Sequence, residues 1–133
     1  MIVVLDASAA IEIILQLDQA RLFEKTLSDS ELVLAPDTYP SEITNVFWKY
    51  AHFSGMDKEK CQKAIDYCLD LVDDYRNTKT MCREVFLESL NTGHSSYDLF
   101  YVILARRHSA TILTRDRKMK ELALQLKIPV VNE

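Results

Sequence analysis

The chain has 133 residues, 48% of them hydrophobic, which predicts one domain with a sizeable core. The formal net charge of -4 argues against non-specific adhesion to nucleic acid, which needs an excess of lysine and arginine. No hydrophobic run approaches the roughly 18 residues of a membrane span. The first five residues also lack the basic flank and the length of a signal peptide. We therefore expect a single cytoplasmic domain, 1–133, with no role at a membrane.

Strand and helix patterns alternate along the chain. In chain order, the patterns predict a strand at 1–5, helices at 6–16 and 18–27, a strand at 31–35, helices at 37–55, 58–75 and 81–90, a helix that begins at Ser95, a strand at 110–113, a helix through Met119 and Leu126, and a strand at 129–131. A short edge strand is a further expectation within 76–80. This alternation favours an α/β sandwich whose four- to five-stranded, mainly parallel sheet is flanked by helices.

Four acidic residues stand where predicted helices begin. They are Asp6, Glu42, Asp98 and Asp116, called the acidic quartet below. Each has an ordinary explanation when taken alone, as a helix cap, a capping box or a partner of the helix dipole. Two of them follow predicted strands, however, and ligand sites in such folds lie beyond the carboxyl ends of the strands. The four together predict a cluster of like charges that only protons or a cation can neutralise.

Hard divalent cations meet this need, because Mg²⁺ prefers carboxylate oxygens and keeps several waters. A metal site of this kind suits hydrolysis of a phosphodiester, since the cation makes water a better nucleophile and offsets charge on the phosphoryl group. Acyl transfer, nucleotide-triphosphate hydrolysis and dinucleotide binding lack the motifs that they require. The acidic quartet is therefore predicted to be catalytic and to bind metal.

Short polar residues near the quartet are candidates for supporting roles. Ser8 and Thr114 each lie two residues from an aspartate, and Asn45 follows Glu42 by one helical turn. Local capping is the alternative for the first two, and a solvent contact is the alternative for Asn45.

The basic residues concentrate in 106–120, which holds six lysines and arginines against one acid. Within this segment, Arg115, Arg117 and Lys118 are candidates for binding RNA phosphates. A solvated helix face is the alternative for each of them.

Five short segments together carry a resemblance to a known family. They are V-V-L-D-A-S-A at 3–9, P-S-E-I-T-N-V at 40–46, S-S-Y-D-L-F-Y-V-I-L-A at 95–105, T-R-D-R-K-M at 114–119 and I-P-V-V at 128–131. In these segments the chain resembles the PIN domain, in particular its small stand-alone VapC-type toxins. The resemblance follows the family's order over nearly the whole chain, and 57–80 matches only loosely.

This resemblance implies a PIN-like three-layer sandwich and an endoribonuclease that depends on Mg²⁺ or Mn²⁺. The family's four acids map onto the acidic quartet. The resemblance also implies a small antitoxin partner, a homodimer and a structured RNA substrate such as a transfer RNA or a ribosomal RNA. Two alternatives stay open: a PIN nuclease of RNA processing without an antitoxin, and an RNA-binding module that does not cleave.

Overall fold

The computed structural model describes residues 1–131 of the chain. Its strands are β1 (Ile2–Leu5), β2 (Leu32–Pro36), β3 (Asp74–Arg76) and β4 (Thr111–Leu113). Its helices are α1 (Ala7–Ile14), α2 (Ala20–Asp29), α3 (Tyr39–Ser54), α4 (Lys58–Asp70), α5 (Cys82–Thr92), α6 (Ser96–His108) and α7 (Arg117–Gln125). A 3-10 helix spans Thr78–Met81. None of the described helices is long and hydrophobic enough to cross a membrane.

The strands pair in parallel in the order β3-β2-β1-β4. Parallel crossovers are right-handed, so the two steps from β1 to β2 and from β2 to β3 place α1 to α4 on one face of the sheet. The return from β3 to β4 runs in the opposite direction and places α5 and α6 on the other face. α6 packs across β1, β2 and β4, and α7 packs against α6. The predicted α/β sandwich with a parallel sheet flanked by helices is confirmed.

β1 is the most deeply buried strand. Val3, Val4 and Leu5 are fully buried, as expected for a central strand covered on both faces. Its two neighbours are β2 and β4, and the chain leaves β1 and β4 toward opposite faces of the sheet. A crevice forms beyond the carboxyl ends of strands at such a switch point. Asp6 stands there, since its backbone N–H donates to the carbonyl of Leu113 at 3.0 Å.

The predicted helix over 58–75 is wrong at its carboxyl end. α4 ends at Asp70, and residues 74–76 form β3, so the predicted edge strand starts earlier than 76–80. The helical spacing of hydrophobic residues continues past the real end, and no glycine or proline marks the change. Pairing of β3 with β2 overrides this helical pattern. The Asp73 backbone N–H donates to the Val33 carbonyl at 2.9 Å, and the Asp73 carboxylate accepts from the Val33 N–H at 2.8 Å.

The predicted final strand is also shorter than expected. Residues 129–131 pair with β4 through one parallel bridge between Ile112 and Val130. The Ile112 N–H donates to the Pro129 carbonyl at 2.9 Å, and the Val131 N–H donates to the Ile112 carbonyl at 3.0 Å. The fifth strand is therefore a single ladder step at the β4 edge.

The inward face of α3 is only partly buried. Ile43 and Phe47 are buried, whereas Val46 and Tyr50 are half-buried. A buried hydrogen bond joins the start of this helix to the end of the next: the Tyr39 hydroxyl donates to the Cys68 carbonyl at 2.7 Å. That carbonyl lies in the last turn of α4, where backbone oxygens lack helical partners. The bond therefore fixes the start of α3, and with it the position of Glu42.

Candidate active site

Asp6 is the most deeply buried member of the acidic quartet, with 6% of its surface exposed. Its side chain makes no capping hydrogen bond to α1. Its Oδ2 atom instead accepts hydrogen bonds from the Ser8 hydroxyl at 2.5 Å and the Thr114 hydroxyl at 2.7 Å. Burial raises the pKa of Asp6, the two hydroxyls oppose this rise, and the nearby Asp116 carboxylate adds to it. The carboxylate is thus held in place across the ends of β1 and β4.

Glu42 lies in the first turn of α3. Its Oε2 atom accepts a hydrogen bond from the Tyr101 hydroxyl at 2.7 Å. Burial raises the pKa of Glu42, the Tyr101 hydrogen bond opposes the rise, and the charges of Asp6 and Asp98 add to it. Glu42 therefore shares its electrostatic surroundings with two other members of the quartet.

Asp98 lies in the first turn of α6 and is half-buried. Burial raises its pKa most, and the charges of Asp116 and Asp6 raise it further, while His94 and Lys118 oppose them. The Ser95 side chain makes no capping hydrogen bond, so a capping box, the ordinary explanation of an acid at this position, is not formed through Ser95. Asp116 does act as a cap, since its Oδ1 atom accepts from the Lys118 N–H at 2.9 Å.

The structure therefore brings the four predicted acids together in one electrostatic group. Within the described residues, no three His, Cys, Asp or Glu side chains are close enough to bind one metal ion directly. The donor chemistry fits Mg²⁺ nevertheless, because this ion is usually held by one or two carboxylates and keeps several waters. Burial together with like charge leaves the group short of positive charge, which a divalent cation would supply.

The hydroxyls of Ser8 and Thr114 join Asp6 to the loop between β4 and α7. The Ser8 and Thr114 hydroxyl oxygens are 3.2 Å apart, and Thr114 is fully buried. Each hydroxyl oxygen also accepts from the backbone of the β4–α7 loop, Ser8 from the Arg115 N–H at 2.9 Å and Thr114 from the Asp116 N–H at 3.0 Å. The two side chains thus orient Asp6 and the loop that carries Asp116.

Asn45 is exposed on α3, beside a shallow groove lined by Pro40, Ser41, Thr44 and Trp48. Its side chain makes no hydrogen bond to the quartet within the described part of the chain. Its supporting role stays a prediction.

The basic segment divides into two parts. Arg106 and Arg107 on α6 form ion pairs with Glu84 and Glu88 of α5, at distances of 2.5–2.9 Å. Arg115, Arg117 and Lys118 lie at the loop and the first turn of α7, beside Asp116, and all three are exposed. The three predicted phosphate-binding residues are therefore the part of this segment nearest to the quartet.

Sequence reasoning missed Tyr101 and Glu12. Tyr101 follows Asp98 by three residues, which places both on one helix face, and this spacing was a usable signal. Glu12 is buried, with 4% of its surface exposed, and its Oε1 atom lies 3.3 Å from the Nε atom of Arg115. A glutamate within a hydrophobic helix gives no sequence signal of its distant partner.

Replacing Thr114 with valine keeps the shape of the side chain and removes one hydrogen bond to the buried Asp6 carboxylate. We expect Thr114→Val to lower the free energy of unfolding by about 1–3 kcal/mol. Thr111→Val is the matched control on β4, the strand that Thr114 directly follows, and it should change stability by less than about 0.5 kcal/mol. Urea unfolding followed by circular dichroism measures both variants, and equal losses would contradict the role given to Thr114.

The raised pKa of Asp98 predicts how stability depends on pH. Because the folded state holds this proton more tightly than the unfolded chain, the metal-free protein gains stability as pH falls through the raised folded pKa. That gain is complete below the ordinary value of 3.8. Asp98→Asn should therefore be more stable than wild type at pH 7 in chelator, with a difference that shrinks toward acid pH.

Unfolding curves between about pH 4 and pH 8 test this sign. Asp66→Asn is the control, because Asp66 is exposed on α4 and far from the quartet in sequence. A destabilised Asp98→Asn protein at pH 7 would show that burial and the neighbouring acidic charges do not raise the pKa of this carboxylate.

Comparisons with known proteins agree with this architecture. The family model of the PIN domain matches residues 3–124. Ribonuclease VapC3 of Pyrobaculum aerophilum is 24% identical over 123 residues, covering 89% of this chain and 92% of that protein. Among solved structures, PAE2754 of Pyrobaculum aerophilum has a TM-score of 0.74 at 18% identity, covering 96% of this chain and 81% of the other. VapBC2 of Rickettsia felis, bound to a promoter DNA fragment, has a TM-score of 0.71 at 18% identity, covering 100% of this chain and 99% of the other. The chain belongs to the PIN domain family.

Proposed function

We propose that this protein is an endoribonuclease that uses Mg²⁺ or Mn²⁺ to hydrolyse phosphodiester bonds of RNA. One observation carries the proposal: four carboxylates from separate elements converge at the switch point of a parallel sheet, where burial and the neighbouring acidic charges raise the pKa values of Asp6, Glu42 and Asp98. Such a cluster lowers the stability of the fold because the carboxylates repel one another. A hard divalent cation that binds there relieves this repulsion, which strengthens its binding. The relative named ribonuclease VapC3 supports the same activity.

The acidic quartet would hold the cation, through one or two carboxylates directly and through the cation's waters otherwise. When bound, the cation would supply activated water and offset charge on the phosphoryl oxygens. The remaining residues position the ligands. Ser8 and Thr114 orient the Asp6 carboxylate, and the Tyr101 hydroxyl orients Glu42. Arg117 and Lys118, exposed at the start of α7 beside Asp116, would contact phosphates of the RNA backbone.

The substrate in this proposal is a structured RNA, such as a transfer RNA or a ribosomal RNA. Overall the protein is acidic, so it lacks the broad positive surface of a general RNA binder. Its basic residues near the quartet form one small group. Selection would then come from the shape of a loop and its unpaired bases, which is how proteins usually recognise RNA sequence.

The proposal includes a small antitoxin that inhibits the enzyme. It rests on the resemblance to VapC-type toxins and on the fold shared with the VapBC2 structure of Rickettsia felis. A short open reading frame directly before the gene is the genetic arrangement that this proposal requires.

We further propose a homodimer. α3 and α5 each expose large hydrophobic side chains, among them Trp48 and Phe53 on α3 and Phe86, Leu87 and Leu90 on α5. Exposed hydrophobic patches of this kind usually mark contact surfaces. Light scattering on the purified protein should give twice the chain mass of 15.4 kDa. The chain mass itself, at tens of micromolar protein, would contradict the dimer.

Cleavage of total cellular RNA tests the activity. Purified protein, freed of any partner, should cut RNA in Mg²⁺ or Mn²⁺ and leave it intact in chelator. Asp98→Asn should lower the rate by about 100-fold or more, the scale seen when one electrostatic stabiliser is removed from an active site. Sequencing of the fragment ends would identify the target.

Asp66→Asn controls for the loss of an exposed acid and should keep the wild-type rate. If neither wild type nor Asp98→Asn cuts RNA, yet both bind it equally in chelator, the nuclease proposal fails and a non-cleaving RNA-binding module takes its place. Cleavage that persists fully in chelator would contradict the role of the metal.

A further inference from the structure

A surface cleft of about 420 Å³ adjoins the loop that carries Asp116. It is lined by Asp18, Gln19, Leu22 and Arg115. Arg115 stands between Thr114 and Asp116, so the cleft and the acidic quartet share one loop. The function proposed above makes no use of this cleft.

Gln19 is the unusual residue of the cleft. It is 7% exposed, and neither its Nε2 nor its Oε1 atom has a hydrogen-bond partner among the described residues. A side-chain amide offers two donors and an acceptor oxygen, and burying it without partners is costly. Most buried polar groups in proteins are satisfied, so an orphaned pair of this kind calls for an explanation. A ligand with a neighbouring donor and acceptor would supply one.

Glu12 builds this side of the cleft. It is 4% exposed and accepts a hydrogen bond from the Gln19 backbone N–H at 2.8 Å through its Oε2 atom. Its Oε1 atom lies 3.3 Å from the Nε atom of Arg115. One buried carboxylate therefore fixes both the turn before α2 and the arginine beside the quartet. Gln19 and Arg115, which both line the cleft, are therefore held by contacts with the same buried carboxylate.

We propose that this cleft binds one unpaired nucleotide of the RNA next to the cleaved phosphodiester; this rests on the proposed nuclease function. The Gln19 amide pairs with the edge of the base, and the Leu22 side chain packs against its face. The Arg115 guanidinium, held by Glu12, contacts the backbone phosphate. Side-chain amides suit base edges, where a donor and an acceptor stand next to each other.

The charge of the cleft favours a nucleotide over a simple anion. Asp18 is exposed on the same rim and repels a bare phosphate. A carboxylate accepts hydrogen bonds from the amino and imino groups of bases. The acid, the amide and the guanidinium thus match a ligand that carries donors, acceptors and one phosphate. The cleft is expected to select among the four bases at one position of the substrate.

Binding without catalysis tests this proposal. The probes are four pentaribonucleotides, 5′-UUNUU-3′, that differ only in the central base. They are titrated in chelator into ¹⁵N-labelled Asp98→Asn protein and followed by NMR. The backbone amides of 18–22 and of Arg115 should shift, and the affinities should differ among the pentamers.

Adding Gln19→Met to the Asp98→Asn protein should lower the affinity for the tightest-binding pentamer by about tenfold and remove the differences in affinity among the four pentamers. Methionine keeps the length of the side chain and removes the orphaned amide, so this variant should fold with an equal or higher melting temperature. Gln125→Met is the matched control, because Gln125 is exposed on α7. It should leave the affinities unchanged.

The proposal would be overturned if the Asp98→Asn protein, with and without Gln19→Met, bound all four pentamers equally. Shifts confined to Arg117 and Lys118 would overturn it as well, because the RNA would then bind outside the cleft. Neither result bears on whether the wild-type protein cuts RNA. The nuclease proposal is judged separately, by cleavage in Mg²⁺ or Mn²⁺.

Discussion

The hydrogen bond from the Thr114 hydroxyl to the buried Asp6 carboxylate joins the carboxyl ends of β1 and β4, and the candidate site is built around it. β1 is held in the centre of the sheet by hydrophobic burial on both faces, so Asp6, which directly follows the strand, is almost completely buried. The packing of the hydrophobic core therefore sets the position of Asp6, and not the tendency of a carboxylate to remain in water. The hydroxyls of Ser8 and Thr114 compensate a part of the desolvation.

The rest of the quartet reaches this position from different parts of the chain. α3 carries Glu42, α6 carries Asp98, and the loop after β4 carries Asp116. Each acid stands at the start of a helix, where the helix dipole favours a negative charge. The helix dipole stabilises each carboxylate separately, whereas the repulsion among the four carboxylates arises only in the folded protein. Repulsion among the four acids thus lowers the stability of the fold, as is common at functional sites of proteins.

Much of this arrangement was predictable from the sequence, for a physical reason. Buried parallel strands appear as continuous hydrophobic runs, and acids placed directly after them mark the edge where strand ends meet. Asp6 and Asp116 were found this way, and Ser8 and Thr114 followed from their short distance to the aspartates. The order of the sheet and the carboxyl end of α4 were harder, because the pairing of β3 with β2 depends on residues 40 positions apart.

Contacts between distant side chains were the part that sequence reasoning did not reach. Tyr101 donates to Glu42 across 59 positions, and Thr114 donates to Asp6 across 108. The pairing of Glu12 with Arg115 and the orphaned amide of Gln19 likewise exist only in the folded chain. Local patterns specify elements and their faces, whereas the partners of buried polar groups are set by packing.

A crystal structure of the protein soaked in Mn²⁺, with data collected at a wavelength where manganese scatters anomalously, tests the cation site most directly. We expect an anomalous peak among the carboxylates of Asp6, Glu42, Asp98 and Asp116, and we expect it to be lost in Asp98→Asn crystals. Anomalous density elsewhere, or none near the quartet at saturating Mn²⁺, would contradict the claim that these four acids form a cation site.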